Sequence, residues 1–136
     1  DWSSDVCSSD LYELHGSVLR NYCSRCHKFF DLDYILNCSG VPKCDKCGAT
    51  IKPDVVLYEE GLDEDIIQGA VRAIASADLL VVCGTSLVVY PAASFIRYFR
   101  GDQLAIINRD ATSYDSQCDI VIHDDLVNTF KQLEIR

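Results

Sequence analysis

Two cysteine pairs are the residues of this chain whose type and spacing most directly predict a chemistry. Cys23 and Cys26 form one Cys-x-x-Cys pair, and Cys44 and Cys47 form a second. Such a turn can point both sulfur atoms inward, so that four thiolates close around one Zn²⁺ and leave no open position for a catalytic water. The spacing therefore predicts one structural zinc ion. Two disulfides or two separate redox pairs are the alternatives.

A second group of candidate residues follows stretches that are typical of β-strands. Gly84, Thr85 and Ser86 come after one apolar run, and Asn108 and Asp110 come after the next. A backbone without a side chain can approach a phosphate closely, and a carboxylate can accept hydrogen bonds from ribose hydroxyls. Together they indicate a dinucleotide site, whereas ordinary strand-to-helix turns are the alternative interpretation.

An α/β framework is needed to position these candidates, and the hydrophobic pattern predicts one. The predicted elements are a helix capped by Asp63, strands at 79–83, 104–107 and 119–122, a helix from Pro91 to Arg100, and a closing helix from about Asp125 whose apolar face is Leu126, Val127, Phe130 and Leu133. We expect the strands to be buried on both faces, with Cys83 in the core. The predicted fold class is a partial Rossmann-like parallel sheet with helices on both faces, plus a small zinc-ribbon module.

The composition excludes several classes of protein. The chain has 136 residues, is 49% hydrophobic and carries a formal net charge of −9, which suits one compact domain with a zinc module. An acidic chain with scattered Lys and Arg is not expected to bind nucleic acid. Its apolar runs are too short for a membrane span. We expect a protein of the reducing cytoplasm.

The first eleven residues, 1–11, look foreign to the rest of the chain. Their Ser-Ser-Asp repeat has no periodicity, and the string resembles a translated sequencing adapter. We therefore expect an artefact at 1–11, followed by a short segment at 12–22 that contains His15, a zinc-binding module at 23–50, and part of a Rossmann-like dinucleotide-binding domain at 51–136.

The order of the motifs resembles the sirtuin family, specifically the bacterial NAD-dependent protein deacetylases. The resemblance rests on Glu13-Leu14-His15-Gly16-Ser17, the two cysteine pairs, Lys52 to Tyr58, Gly84 to Ala92, and Ile107-Asn108. It covers essentially everything from Tyr12 to Arg136, and motifs that occur together in order are far more specific than any one alone.

The resemblance implies NAD-dependent removal of an acetyl group from protein lysine, with nicotinamide and O-acetyl-ADP-ribose as products. It makes His15 the general base, since an imidazole can accept a proton from a ribose hydroxyl near neutral pH. A sirtuin-like ADP-ribosyltransferase and a noncatalytic zinc and nucleotide-binding module are the alternatives. A histidine that merely satisfies a turn is the alternative for His15 itself.

The resemblance also implies binding residues. It assigns NAD to Gly84, Thr85, Ser86, Asn108, Asp110 and, through its backbone, Leu126. It assigns the acetyl-lysine peptide to Val55, Val56, Tyr58 and Val89, between which the peptide would lie as an added strand. Where the family usually has Phe-Gly-Glu, this chain has Tyr58-Glu59-Glu60. His27, His123, Cys38 and Cys118 receive no role in a site.

The glycine-rich cofactor loop of the family, and the Asn and Asp that precede its catalytic histidine, are expected upstream of Tyr12. We therefore expect the chain by itself to show no deacetylase turnover.

Overall fold

The computed structural model describes residues 11–133, and the segment 1–11 assigned to an adapter lies outside this range apart from Leu11. The chain divides into two compact units between Ile67 and Gln68. The domain boundaries at residues 12, 23 and 51 stay predictions. Within residues 11–133, every helix is too short or too polar to cross a membrane.

The first unit is built on a three-stranded antiparallel sheet. Its strands are β1 (Gly16–Cys23), β2 (Phe29–Asp31) and β3 (Ile51–Val55), in the order β2-β1-β3. Helix α1 (Leu32–Leu36) follows β2 directly, and the Asp31 carboxylate caps it by accepting a hydrogen bond from the N–H of Tyr34 at 2.8 Å. β1 is therefore the central strand, and the turn before it carries His15.

An irregularity interrupts the pairing of β1 with β3. Ser17 pairs with Asp54 and Asn21 pairs with Pro53, so that 18–20 bulge out of the ladder between them. Such a bulge bends its strand and redirects side chains. The pairing resumes at Tyr22 and Cys23, and the register on the far side of β1 is unaffected.

The core of the first unit surrounds its cysteines. Cys23, Phe30, Cys44 and Ile51 are buried together. The residues packed around them are Cys26, Tyr34, Ile35, Cys47 and Ala49. Apolar burial in so small a module is limited, so stability must depend on what holds the cysteines together.

The second unit contains a three-stranded parallel sheet in the order β4-β5-β6. The strands are β4 (Leu79–Cys83), β5 (Gln103–Ile107) and β6 (Ile120–Ile122). The helices are α2 (Glu64–Ser76) and α3 (Leu126–Lys131), of which α2 begins before the division between the units. Because all three strands run in the same direction, their carboxyl ends lie along one edge. The mixed α/β class with a parallel sheet is confirmed.

Two of the three predicted helix starts are confirmed. The Asp63 carboxylate accepts hydrogen bonds from the N–H groups of Asp65 and Ile66, and Asp125 accepts from those of Val127 and Asn128. The predicted helix from Pro91 to Arg100 is instead a 3₁₀ helix over Ala92–Tyr98. Its residues Ala93, Phe95 and Ile96 are buried.

The expected burial of the outer strands is wrong. β5 is buried through Ala105, Ile106 and Ile107, but β4 alternates between exposed and half-buried residues, and Ile120 and Val121 of β6 are exposed. An apolar run cannot reveal that its strand lies at the border of a sheet, as β4 and β6 do among the described strands.

One further expectation of burial is wrong. Cys83, expected in the core, is exposed, although partial burial of its sulfur raises the pKa of the thiol. The helix predicted from about Asp125 forms as α3, but Val127 and Phe130 of its apolar face are exposed, and Leu133 lies beyond its end.

Candidate functional site

The four predicted zinc ligands come together in the first unit. The Sγ atoms of Cys23, Cys26, Cys44 and Cys47 all lie within 4.8 Å of one another. Cys23 and Cys47 are 3.4 Å apart, Cys26 and Cys44 are 3.6 Å apart, and Cys26 and Cys47 are 3.7 Å apart. A tetrahedron with zinc–sulfur bonds of about 2.3 Å has sulfur–sulfur edges of about 3.8 Å. The sulfur set fits one zinc ion.

The two cysteine pairs form turns with the same hydrogen bonds. In the first turn, the N–H of His27 donates to the carbonyl of Cys23, and the N–H of Cys23 donates to the carbonyl of Lys28. In the second turn, the N–H of Gly48 donates to the carbonyl of Cys44, and the N–H of Cys44 donates to the carbonyl of Ala49. His27 and Gly48 both have left-handed backbone, with φ of 55° and 73°. The turn geometry that aims both sulfurs inward thus requires a positive φ directly after the second cysteine.

The electrostatics of the cluster favour a bound cation. The N–H groups of Cys26 and Arg25 point at the Cys23 sulfur at 3.5 and 3.4 Å and, against the effect of burial, lower the pKa of this thiol to about 6. At Cys47, the N–H of Ala49 lowers the pKa of the thiol. The thiols of Cys23, Cys26 and Cys44 outweigh this effect and raise the pKa of Cys47 to about 11. Four adjacent sulfurs resist shared ionisation, and a divalent cation removes this conflict.

His15 is exposed in the turn that leads into β1. Gly16 N–H donates to the carbonyl of Glu13 at 2.9 Å, and Val56 N–H donates to the carbonyl of His15 at 3.1 Å. Gly16 has a φ of 74°, and a Cβ at this position would lie 1.9 Å from the carbonyl oxygen of Asp54. The backbone that carries the imidazole is therefore held directly against the end of β3.

Two of the four predicted peptide-binding residues line a cavity in the same unit. Val55 and Val56, both half-buried, border an open cavity of about 500 Å³, together with Glu13, Leu14 and Gly16 beside His15. Tyr58 is fully exposed. Val89 is an exposed residue of the second unit.

The loop after β3 is held by an acidic side chain. Glu60 accepts hydrogen bonds from Lys52 at 2.5 Å and from the N–H of Leu57 at 2.9 Å, and the nearby Lys52 ammonium lowers the pKa of Glu60. Glu59 has a φ of 70°, in the left-handed region that favours glycine. This loop thus presents Tyr58 and Glu59 to solvent.

Four predicted NAD residues meet in the second unit. Gly84, Asn108, Asp110 and Leu126 line one open cleft of about 420 Å³. Gly84 follows β4, Asn108 follows β5, and Leu126 begins α3 after β6, so the cleft lies at the carboxyl edge of the sheet. Thr85 and Ser86 do not line it; the Thr85 hydroxyl accepts a hydrogen bond from the N–H of Leu87 instead.

The floor of the cleft requires glycine at position 84. Gly84 has a φ of 60°, and a Cβ there would lie 3.1 Å from Cδ1 of Leu126. Its N–H donates to the carbonyl of Ile107 at 3.0 Å, which ties the ends of β4 and β5 together. The bare backbone leaves room for a ligand to approach closely, which fits a dinucleotide.

Four more residues line the cleft: Arg109, Asp124, Asp125 and Val127. Arg109 pairs with Asp125 at 2.6 Å, and this contact and the N–H groups at the start of α3 hold the pKa of Asp125 below its usual range. The cleft is acidic on balance, which suits hydroxyl donors better than phosphates. From the sequence, none of these four residues was assigned to the dinucleotide site, although Arg109 directly follows Asn108 after β5 and the other three follow β6.

His123 organises the loop after β5. Its Nδ1 lies 3.1 Å from the carbonyl oxygen of Asn108, and its Nε2 lies 3.1 Å from the carboxylate of Asp115. The Thr112 hydroxyl and, more weakly, His123 hold the pKa of Asp115 below its usual range. His123, expected as an ordinary surface residue, thus contacts the backbone of a cleft residue.

The other cysteines within residues 11–133, Cys38, Cys83 and Cys118, are not part of the metal cluster. The thiol of Cys38 donates to the carbonyl of Tyr34, and that of Cys118 donates to Tyr114. Burial raises the pKa of the Cys118 thiol.

Comparisons with known proteins agree on one family. The family model described as "Sir2 family" matches residues 3–91. A curated protein of Clostridium acetobutylicum, named NAD-dependent protein deacetylase, is 60% identical over 120 residues, which cover 88% of this chain and 49% of that protein. A protein of the same name from Staphylococcus aureus is 48% identical over 130 residues, covering 96% and 53%. The chain spans about half the length of the curated relatives it matches.

Solved structures give the same result. A structure described as Sir2–p53 peptide–NAD⁺ superposes with a TM-score of 0.78 at 37% identity, covering 89% of this chain and 52% of that one. A complex of Sir2 with the inhibitor EX-527, 2′-O-acetyl-ADP-ribose and deacetylated p53 peptide gives 0.78 at 34% identity, covering 89% and 54%.

Proposed function

The chain belongs to the Sir2 family, and from this premise we propose that it is part of an NAD-dependent protein-lysine deacetylase. The reaction transfers the acetyl group of a lysine side chain to ADP-ribose and releases nicotinamide. The curated relatives carry this activity in their name, and a solved relative holds both NAD⁺ and a peptide. Acceptance of acyl groups longer than acetyl is a further part of the proposal.

The observation that carries the proposal is the cleft at the carboxyl edge of the parallel sheet. Gly84, Asn108, Asp110 and Leu126 come from three separate loops and line one open space. Asn108 and Asp110 offer acceptors for ribose hydroxyls, Leu126 offers its backbone, and Gly84 leaves the room for close approach. Thr85 and Ser86, next to Gly84, would bind the phosphate and ribose region. NAD supplies the ADP-ribose that accepts the acetyl group.

In this proposal His15 is the general base. Its ring is exposed, while its backbone is fixed by the hydrogen bond from Val56 and by the contact of Gly16 with β3. An imidazole on a fixed backbone can accept a proton from a ribose hydroxyl.

The peptide would bind along Val55, Val56 and Tyr58, with Val89 as a further contact. Backbone pairing with the end of β3 would bind the peptide with little dependence on its sequence, and the valines would accept the neutral acyl-lysine stem. The exposed Glu59 adds an acidic side chain to this loop. Acetylated lysine side chains of proteins are the proposed substrates.

The four cysteines would hold one structural zinc ion. Their sulfurs occupy all four positions of a tetrahedron, so the metal stabilises the module and takes no part in the transfer. Its removal would act on the folding of the first unit, whose core contains the same cysteines.

An assay of the chain, and of the longest open reading frame that contains it, tests the proposal. Either protein is incubated with NAD and an acetyl-lysine peptide, and nicotinamide, deacetylated peptide and O-acetyl-ADP-ribose are quantified by mass spectrometry. His15→Ala should abolish formation of O-acetyl-ADP-ribose, and Asn37→Ala, on the exposed end of α1, should not. ADP-ribosylated protein in place of O-acetyl-ADP-ribose would favour a transferase instead. Absence of all three products from the longer protein would overturn the proposal.

A further inference from the structure

Arg20 has no role in the proposed reaction, yet it joins the turn of His15 to the neighbouring strand. Its Nη1 donates to Oε2 of Glu13 at 2.6 Å, and its Nε donates to Oδ2 of Asp54 at 2.9 Å. Glu13 precedes His15 in the same turn, and Asp54 lies near the end of β3. Both carboxylates form their ion pairs, within residues 11–133, with this one guanidinium.

The bulge in β1 is what brings Arg20 to this position. The buried Asn21 closes the bulge by donating its side-chain N–H to the carbonyl of Val18 at 3.0 Å, and the Ser17 hydroxyl accepts from the N–H of Leu19 at 3.2 Å. These bonds fix the backbone on both sides of Arg20. A guanidinium suits such a bridge because its donors form a rigid planar fork.

Arg20 adds a side-chain connection between the turn of His15 and β3, next to two connections that the backbone makes. Gly16 lies directly against the carbonyl of Asp54, and Val56 donates to the carbonyl of His15. Both of these contacts fix the backbone after His15, whereas the bridge to Glu13 fixes the backbone before it. Without Arg20, no ion pair within the described residues would tie Glu13 to β3, and Glu13 and Asp54 would lose their shared cation.

We propose that Arg20 is a positioning residue for His15, acting through Glu13 and Asp54. The inference rests on the proposed function, in which His15 accepts a proton. Exposed ion pairs contribute little to global stability, and the Arg20 side chain is 40% exposed, so its effect on His15 is separable from unfolding. Small displacements of a reacting group are costly in rate even where stability is unchanged.

The coupling of Arg20 to His15 can be measured in this chain without any turnover. The chain has three histidines, so its imidazole signals in a ¹H–¹³C NMR spectrum are few and can be assigned. Arg20→Gln should shift the ring signals of His15 and leave those of His27 and His123 in place. Arg100→Gln is the matched control, because the Arg100 guanidinium also bridges two acceptors, the carbonyls of Arg97 and Phe99.

Further variants keep the test decisive. If Arg20→Gln loses signal dispersion throughout the spectrum, Glu13→Gln removes only one arm of the bridge and should still shift the His15 signals. Arg20→Lys keeps the charge but not the fork, and should give an intermediate shift. His15 signals that stay unmoved in a folded Arg20→Gln or Glu13→Gln variant overturn the inference.

Measurements of kcat and KM distinguish a failure of this inference from a failure of the proposed function. In the longer protein, Arg20→Gln should lower kcat roughly tenfold to a hundredfold with the KM for NAD unchanged, because Arg20 acts on the base and not on the cofactor cleft. Shifted His15 signals with an unchanged kcat would overturn the positioning role of Arg20 and leave the proposed function, which His15→Ala tests, in place. Unshifted signals would overturn the role of Arg20 whatever the activity.

Discussion

His27 and Gly48 occupy the same place in the two cysteine turns, and both have left-handed backbone, with φ of 55° and 73°. Each follows the second cysteine of its pair and donates its N–H to the carbonyl of the first. Glycine adopts this conformation without steric cost, whereas a histidine does not. The first turn is therefore strained where the second is not.

Replacing His27 with glycine should remove this strain. We expect His27→Gly to raise the free energy of unfolding of the zinc-loaded chain by about 1 kcal/mol, measured by urea denaturation. The reciprocal variant Gly48→Ala should lower it by about 1 kcal/mol, since a Cβ there meets no atom within 4 Å and only the backbone conformation is penalised. Equal stability of His27→Gly and the parent chain would contradict the strain.

Gly16→Ala should disrupt the turn of His15. A Cβ at position 16 would lie 1.9 Å from the Asp54 carbonyl oxygen, so the turn must separate from β3. We expect a loss of roughly 3 kcal/mol or more in unfolding free energy. Gly40→Ala is the control, because Gly40 also has a positive φ, 77°, but open space around it; its loss should stay near 1 kcal/mol. Similar losses for the two variants would mean that the close contact is not real.

Cys44→Ser should abolish stable zinc binding. The purified chain should contain close to one zinc ion, measured by atomic absorption, and the variant well below one. The loss in affinity should exceed the roughly tenfold to hundredfold effect of changing a ligand's supporting hydrogen bond. Cys118→Ser, outside the cluster, should retain the metal. A chelator should unfold the module of the parent chain but change little in Cys44→Ser. Undiminished zinc in Cys44→Ser would refute the ligand set.

The Asp125 carboxylate should give the second unit a pH-dependent stability. Arg109 and the N–H groups at the start of α3 hold the pKa of Asp125 below its ordinary value. The stabilisation that the Asp125 carboxylate provides is therefore complete above the ordinary aspartate pKa of about 3.9. It is lost as the pH falls through the lower pKa that Asp125 has in the folded chain.

Asp125→Ala tests this dependence. The variant should be less stable than the parent at pH 7, and this difference should shrink progressively below about pH 4. Asp102→Ala is the control, because no side-chain hydrogen bond of Asp102 occurs within the described residues. A difference between Asp125→Ala and the parent that stays constant down to pH 3 would contradict the prediction.

The sequence by itself determined the features that depend on near neighbours in the chain. The four metal ligands follow from two short turns, each closed by hydrogen bonds within six residues of sequence. The helix starts at Asp63 and Asp125 follow from a carboxylate that accepts from N–H groups two and three residues later. The cleft residues that follow each strand were predictable because parallel strands end at one edge.

Only the tertiary structure decided which surfaces are covered and which distant side chains meet. The apolar runs of β4 and β5 look alike in sequence, yet Ile106 is fully buried and Cys83 is exposed, because burial depends on what lies beside and above a strand. The bridge from Arg20 to Asp54 depends on a bulge that no local pattern announces. Turns and caps are set by bonds between near neighbours, whereas burial and long-range ion pairs are set by how the whole chain packs.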